Sequence, residues 1–261
     1  MPRQKLGQHF LNSPKVLQRI VSAAASTGAS LAVEIGPGKG ALTKHLLLNF
    51  QRVIAIELDP VLAEHLRVQW RNDPGLELQE RNALDVAFSE FGAGTLVGNL
   101  PYYVSTAIIS NYVREPGRLD QGVFLIQKEV AERITATPGH REYGYLTVEC
   151  QLLSKVEYLF NVPPGAFQPP PRVDSAVIRM TPFAPPVGLD VTGFLKFVSA
   201  CFRQKRKTLR NNLNDRYSRE QLDPRPEMGQ RAEQLSVDQF VALYRALNPD
   251  SEPASPQLET V

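Results

Sequence analysis

From Leu31 to about Met180, short apolar runs rich in β-branched residues alternate with segments of helical period. The runs at 31–35, 53–57, 95–98 and 122–127 predict strands, because each is short, largely apolar and flanked by turn residues, and the alternating Leu76–Gln79 predicts another. The period predicts helices over 41–48, 105–113 and 128–136. Another runs to Trp70 from Asp59-Pro60, a cap residue followed by proline at the first helical position. Strands separated by helices imply right-handed crossovers and an α/β fold with a mostly parallel sheet covered on both faces. The pattern then changes. Strands over 155–162 and 173–180 flank the proline-rich Pro163-Pro-Gly-Ala-Phe-Gln-Pro-Pro-Pro171, which predicts a terminal, antiparallel pair.

Thr181-Pro-Phe-Ala-Pro-Pro186 carries no periodicity and is stiffened by proline, so it marks a domain boundary. The division expected is residues 1–182 as the α/β domain and 187–261 as a small all-α domain, with a disordered tail from about 249. In the second domain Phe194, Phe197, Val198, Cys201 and Phe202 share a helical face, as do Phe240, Leu243, Tyr244 and Leu247.

Composition narrows the chemistry. Twenty-nine basic residues against 27 acidic give a formal charge of +2, which neither requires nor forbids a nucleic-acid partner. Two cysteines and four scattered histidines form no metal-ligand spacing and no disulfide framework, so no metal and a reducing, cytoplasmic setting are expected. No apolar run reaches the roughly 18 residues of a membrane span.

Strand, glycine-rich turn, helix is the layout that lets a ligand approach backbone at the carboxyl end of a sheet. Here the turn is Gly36-Pro-Gly38-Lys-Gly40, which is not the spacing that seats a dinucleotide pyrophosphate; a nicotinamide oxidoreductase is the least supported reading. Glu57 ends the second strand about twenty residues after Gly36, the offset at which a carboxylate grips a ribose diol. Ribose recognition without a diphosphate site points to a nucleoside cofactor such as S-adenosylmethionine. After the third strand, Asn82 could accept from an adenine amino group or merely begin a turn.

The fourth strand runs into Asn99-Leu-Pro-Tyr102. An exocyclic adenine amine is a poor nucleophile because its lone pair is delocalised into the ring. A side-chain carbonyl at Asn99 and the backbone carbonyl of Leu100, accepting its two N–H bonds, would favour a pyramidal nitrogen. Pro101 stiffens the loop and removes a competing donor. Tyr102 offers a face for stacking, and Phe167, in its rigid proline segment, is expected to close the other side of an extruded base.

Gly36-Pro-Gly38, Asn99-Leu-Pro-Tyr102 and Phe167-Gln-Pro-Pro-Pro171, in this order, resemble the ribosomal RNA adenine N6,N6-dimethyltransferase family. Leu6-Gly-Gln-His-Phe-Leu11, Gln127-Lys-Glu-Val130, Arg172-Val-Asp-Ser-Ala-Val177 and Arg206-Lys-Thr-Leu-Arg210 extend the likeness over nearly the whole chain. The resemblance implies a Rossmann-like class I methyltransferase sheet with a helical addition, and S-adenosylmethionine as donor, leaving S-adenosylhomocysteine. It implies a monomer that dimethylates two adjacent adenosines in the 3′-terminal hairpin loop of small-subunit rRNA, on late 30S precursor particles. His9 and Leu11 match the segment closing over the cofactor, Gly36 and Gly38 the loop beside its methionine part, Glu57 its ribose ligand and Asn82 its adenine contact. Asn99 matches a residue touching both cofactor and target; Leu100, Pro101, Tyr102 and Phe167 match the target pocket. The family usually carries Asp where Asn82 stands, which implies weaker cofactor affinity here.

Positive charge is gathered locally. Arg203, Lys205, Arg206, Lys207 and Arg210 fall within eight residues without an acid, and Arg3, Lys5, Lys15 and Arg19 occupy an N-terminus without a carboxylate. From residue 187 onward as a whole, 11 basic residues balance 10 acidic ones, so the 203–210 cluster is the expected phosphate contact. Two other readings remain: an enzyme acting on large-subunit rRNA, and an assembly checkpoint or transcription cofactor in which catalysis is secondary.

Overall fold

The computed structural model describes residues 9–115, 117 and 119–249. The expected tail and the basic residues Arg3 and Lys5 lie outside them. The chain divides into two compact units, one comprising Met1–Glu132 with Ser154–Pro182, the other Arg133–Leu153 with Phe183–Val261.

The first unit is built on a seven-stranded sheet. Its strands are β2 (Leu31–Ile35), β3 (Arg52–Glu57), β4 (Leu76–Glu80), β5 (Thr95–Asn99), β6 (Gln121–Gln127), β7 (Ser154–Val162) and β9 (Ser175–Pro182). They lie in the order β4-β3-β2-β5-β6-β9-β7. The first five are parallel, and β9 pairs antiparallel with both β6 and β7. β2 is buried along its whole length, which is why it reads as an uninterrupted apolar run rather than an alternation. The order β3-β2-β5 places a topological switch at β2, so loops there open outward at the carboxyl edge, where ligands bind in such sheets.

Helices α2 (Ala41–Leu47), α3 (Pro60–Gln69) and α4 (Ser105–Arg114) are the crossovers. α3 starts as its sequence dictates: the Asp59 carboxylate accepts from Val61 N at 2.9 Å and Pro60 occupies the first turn. Two elements precede the predicted series, β1 (Phe10–Leu11) and α1 (Pro14–Ala24). α1 turns Val16, Leu17, Ile20, Val21 and Ala24 inward, a helical stripe that joins β-strand residues and Phe167 in one apolar cluster. β1 pairs antiparallel with β8 (Phe167–Gln168), matching Phe10 with Gln168 and Leu11 with Phe167.

The second unit is helical, containing α6 (Tyr145–Leu153), α7 (Val191–Cys201), α8 (Leu209–Leu213), α9 (Arg219–Leu222) and α10 (Val237–Leu247). α5 (Lys128–Thr135) carries the chain into it. The faces read from the sequence meet: Tyr244 lies edge-on to Phe194 with ring centroids 5.7 Å apart, and 5.5 Å from Phe197. One expected boundary differs. Arg133–Leu153 groups with the helices and not with the sheet. α6 buries residues on every side and packs against α7 and α10, so it needs helical neighbours all round. Among the described residues no helix is long and apolar enough to cross a membrane.

Candidate active site

The glycine loop between β2 and α2 is shaped by its backbone. Gly38 and Gly40 have φ of +59° and +79°, a region L side chains rarely adopt. A Cβ on Gly40 would lie 2.2 Å from the Trp70 ring, and one on Gly38 would lie 3.0 Å from the Phe10 ring. Register does the rest. Ile35 pairs with Ile56, so the loop following β2 meets Glu57 at the end of β3. Glu57 is buried, and its carboxylate accepts from Gly38 N at 3.1 Å and from Asp59 N at 2.9 Å. Two charge-assisted bonds thus fix both the carboxylate and the loop.

A cavity of about 320 Å³ opens over this loop, within the size range of small-molecule sites. His9, Leu11, Gly36, Gly38, Glu57, Asn82, Asn99, Leu100, Pro101 and Tyr102 all border it. Residues named from separate stretches of sequence therefore converge on one space. The Asn82 oxygen caps a turn by accepting from Leu84 N at 3.1 Å, while its amide donates to Asp85 at 3.0 Å. An aspartate at 82 would set its carboxylate against that of Asp85, where the asparagine amide donates instead.

The Asn99 side chain is oriented by the N-terminal segment. Its Nδ2 donates to the His9 carbonyl at 3.0 Å. A carbonyl only accepts, so the amide orientation is fixed and Oδ1 has no donor among the described residues. Leu100 N donates to Leu125 O at 3.0 Å, continuing the ladder, whereas Leu100 O accepts no hydrogen bond among the described residues. Val104 N donates to Pro101 O at 3.1 Å and closes a tight turn. The Tyr102 hydroxyl lies 2.6 Å from Ser175 Oγ at the start of β9. Burial of the phenol raises its pKa, and the Ser175 bond acts the other way.

Phe167 stands elsewhere than the sequence suggests. It is 3% exposed, belongs to the apolar cluster, and does not border the cavity. Pairing with Leu11 in the β1–β8 ladder turns it inward. The ring beside Tyr102 is His9, with centroids 5.9 Å apart and planes 31° from parallel. Rings at about 4.5–7 Å are in direct contact, so no base fits between these two as placed. The imidazole Nδ1 donates to Pro169 O at 2.9 Å.

Glu34 is a further site residue that sequence reasoning misses, although a carboxylate in an apolar strand is itself a signal. It borders the cavity, is buried, and accepts from Thr43 Oγ1 at 2.6 Å. Burial, with a smaller push from the Glu57 charge, moves its carboxyl up to about 8, against the opposing Thr43 bond. The folded state therefore holds a proton that the unfolded chain releases above about pH 4.5. Stability from this group is full below that pH and is lost as pH rises through about 8, at up to about 1.4 kcal/mol per pH unit. Urea unfolding of Glu34→Gln at pH 5, 6, 7 and 8 should show that slope removed; an unchanged slope would refute the assignment.

In the helical unit the 203–210 cluster is less free than its sequence suggests. Arg203 pairs with Asp215 and Arg210 with Asp223, each at 2.6 Å, and Lys205 Nζ donates to Arg141 O. The acids lie just outside the stretch that looks unopposed. Arg206 and Lys207 are exposed and have no ion pair among the described residues.

Comparisons with known proteins place the chain among rRNA methyltransferases. The chain is 41% identical to a ribosomal RNA small subunit methyltransferase A from Acidobacterium capsulatum, over 95% of this chain and 92% of that one. The structure of a dimethyladenosine transferase from Plasmodium falciparum superposes with a TM-score of 0.75 at 26% identity, covering 90% of this chain and 96% of that one. That of the 23S rRNA methyltransferase ErmE superposes with a TM-score of 0.74 at 26% identity, covering 92% and 99%. A family model described as ribosomal RNA adenine dimethylase matches residues 2–248. With that match spanning the sheet, the cavity and the helical unit, the chain belongs to the ribosomal RNA adenine dimethylase family.

Proposed function

We propose that this protein dimethylates N6 of two adjacent adenosines in the 3′-terminal hairpin loop of small-subunit rRNA, in late 30S precursor particles in the cytoplasm, as a monomer. The observation that carries the proposal is Asn99. Its amide nitrogen is committed to the His9 carbonyl, and it borders the same cavity as the glycine loop and Glu57. The 41% identity to a small-subunit enzyme favours that particle over the large subunit of the 26% neighbour.

Family membership makes S-adenosylmethionine the methyl donor, and the residues suit it. Gly36, Gly38 and Gly40 all take positive φ, which bends the loop so that its backbone borders the cavity, and the buried Glu57 carboxylate faces the cavity with two backbone amides already bound. Gly36, Gly38, Glu57 and Asn82 would hold the donor, with His9 and Leu11 on the opposing wall. When bound, it supplies an electrophilic methyl on a sulfonium. Asn99 Oδ1 and Leu100 O accept the two N–H bonds of the adenine amine, so that its lone pair leaves the ring system. Tyr102, held through Ser175, supplies the stacking face. Pro101 and the turn it closes keep the acceptors fixed, so catalysis rests on positioning and preorganised dipoles and not on a strong base.

Transfer of tritium from labelled S-adenosylmethionine to undermethylated 30S particles, followed by nucleoside analysis, should yield N6,N6-dimethyladenosine. Label appearing on 50S particles instead would overturn the subunit assignment. A second expectation concerns the two unpaired cations. Arg206→Ala with Lys207→Ala should weaken particle binding and flatten the log affinity–log salt slope by about 1.4, at roughly 0.7 for each phosphate no longer neutralised. An unaltered slope in filter binding across a salt series would remove these residues from the interface.

A further inference from the structure

Two tyrosines follow Pro101, and the structure treats them differently. Tyr102 is half-buried and bound through its hydroxyl to Ser175. Tyr103 borders the same cavity but is 62% exposed. Among the described residues it makes no hydrogen bond and no ring contact. It sits in the turn closed by Val104 N and Pro101 O, on a backbone held by the start of α4. The result is a large, flat, amphipathic ring on a fixed loop at the edge of the cavity. Single-stranded RNA is gripped through such rings, because every base has a π-face to stack and unstacked loop bases are without their own neighbours.

We infer that Tyr103 is the stacking platform for the nucleobase adjoining the target adenine, so that the loop binds two successive bases, one against each tyrosine. The inference rests on the proposed single-stranded substrate with paired adenosines and adds to it the residue that reads the neighbour. A substrate-binding role at this position leaves cofactor binding untouched, since Tyr103 takes no part in the glycine loop or the Glu57 hydrogen bonds.

The test uses the full-length protein and 30S particles reconstituted on undermethylated rRNA carrying the two adenosines. In one form both bases are present; in the other the nucleotide beside the target is abasic. Tyr103→Ala should raise KM for the intact RNA about tenfold with KM for S-adenosylmethionine unchanged. Tyr103→Phe, which keeps the ring, should restore the wild-type value. On the abasic RNA the wild-type protein and Tyr103→Ala should be equal, because the stacking partner is gone. The inference is overturned if Tyr103→Ala loses as much on abasic as on intact RNA, or if Tyr103→Phe is as impaired as Tyr103→Ala. A wild-type protein that methylates no intact 30S particle would overturn the functional proposal itself; wild-type activity with an unaffected Tyr103→Ala overturns only this inference.

Discussion

Asn99→Ala should lower kcat by about two to three orders of magnitude, the usual effect of deleting one preorganised hydrogen-bonding group aimed at the reacting centre. The side chain has two tasks, and alanine ends both. Nδ2 holds the His9 carbonyl at 3.0 Å, tying the N-terminal segment to the end of β5, and that commitment is what leaves Oδ1 as the acceptor for the adenine amine. Asn99→Asp separates the tasks. It keeps an acceptor oxygen but replaces the donor with a carboxylate facing the His9 carbonyl, so it too should be impaired, with a larger rise in cofactor Kd than alanine gives. Single-turnover methylation with saturating RNA and labelled donor measures the first effect, and calorimetric titration of the donor measures the second. A drop in kcat below tenfold for Asn99→Ala would mean that Leu100 O alone organises the amine.

Much of this arrangement is legible in the sequence where the signal is local. The apolar runs mark the strands β2, β3, β5 and β6, because a parallel strand covered on both faces has only apolar neighbours, whereas the edge strand β4 alternates leucine with polar residues. Asp59-Pro60 opens α3 as a short-range cap should. The cavity is readable because carboxyl-end loops of such a sheet share one edge, so Gly36, Glu57, Asn82 and Asn99, each at or just after the end of its strand, converge once the parallel strands pair. What the sequence hides is tertiary. The β1–β8 ladder joins residues far apart in the chain, and no local period reveals that it turns Phe167 inward. The ion pairs of Arg203 and Arg210 are hidden for the same reason, as their acids stand outside any window centred on the basic run. α6 gives a weak amphipathic signal because it is buried on all sides, so its place among the helices depends on neighbours supplied much later in the chain.

Phe167→Ala should destabilise the first unit by about 3–5 kcal/mol, the range for emptying a buried aromatic site. The ring is 3% exposed and lies in the cluster that includes Leu11, α1 and the sheet. Truncation therefore opens a cavity beneath the strand that carries His9 and Leu11 to the donor site. Donor affinity should fall as well, since β1 is then without the surface it packs on. Phe167→Leu distinguishes packing from base stacking. It refills most of the volume with apolar atoms but removes the aromatic face. If the ring serves the core, the leucine variant should recover most of the urea midpoint and keep kcat within a few-fold of the wild-type value. If the ring turns outward to clamp the adenine during turnover, the leucine variant should be stable yet lose kcat nearly as far as Asn99→Ala. The inward register of Leu11 with Phe167 and the His9 ring already against Tyr102 favour the first outcome. A stable, inactive leucine variant would show that the β1–β8 ladder opens in each catalytic cycle.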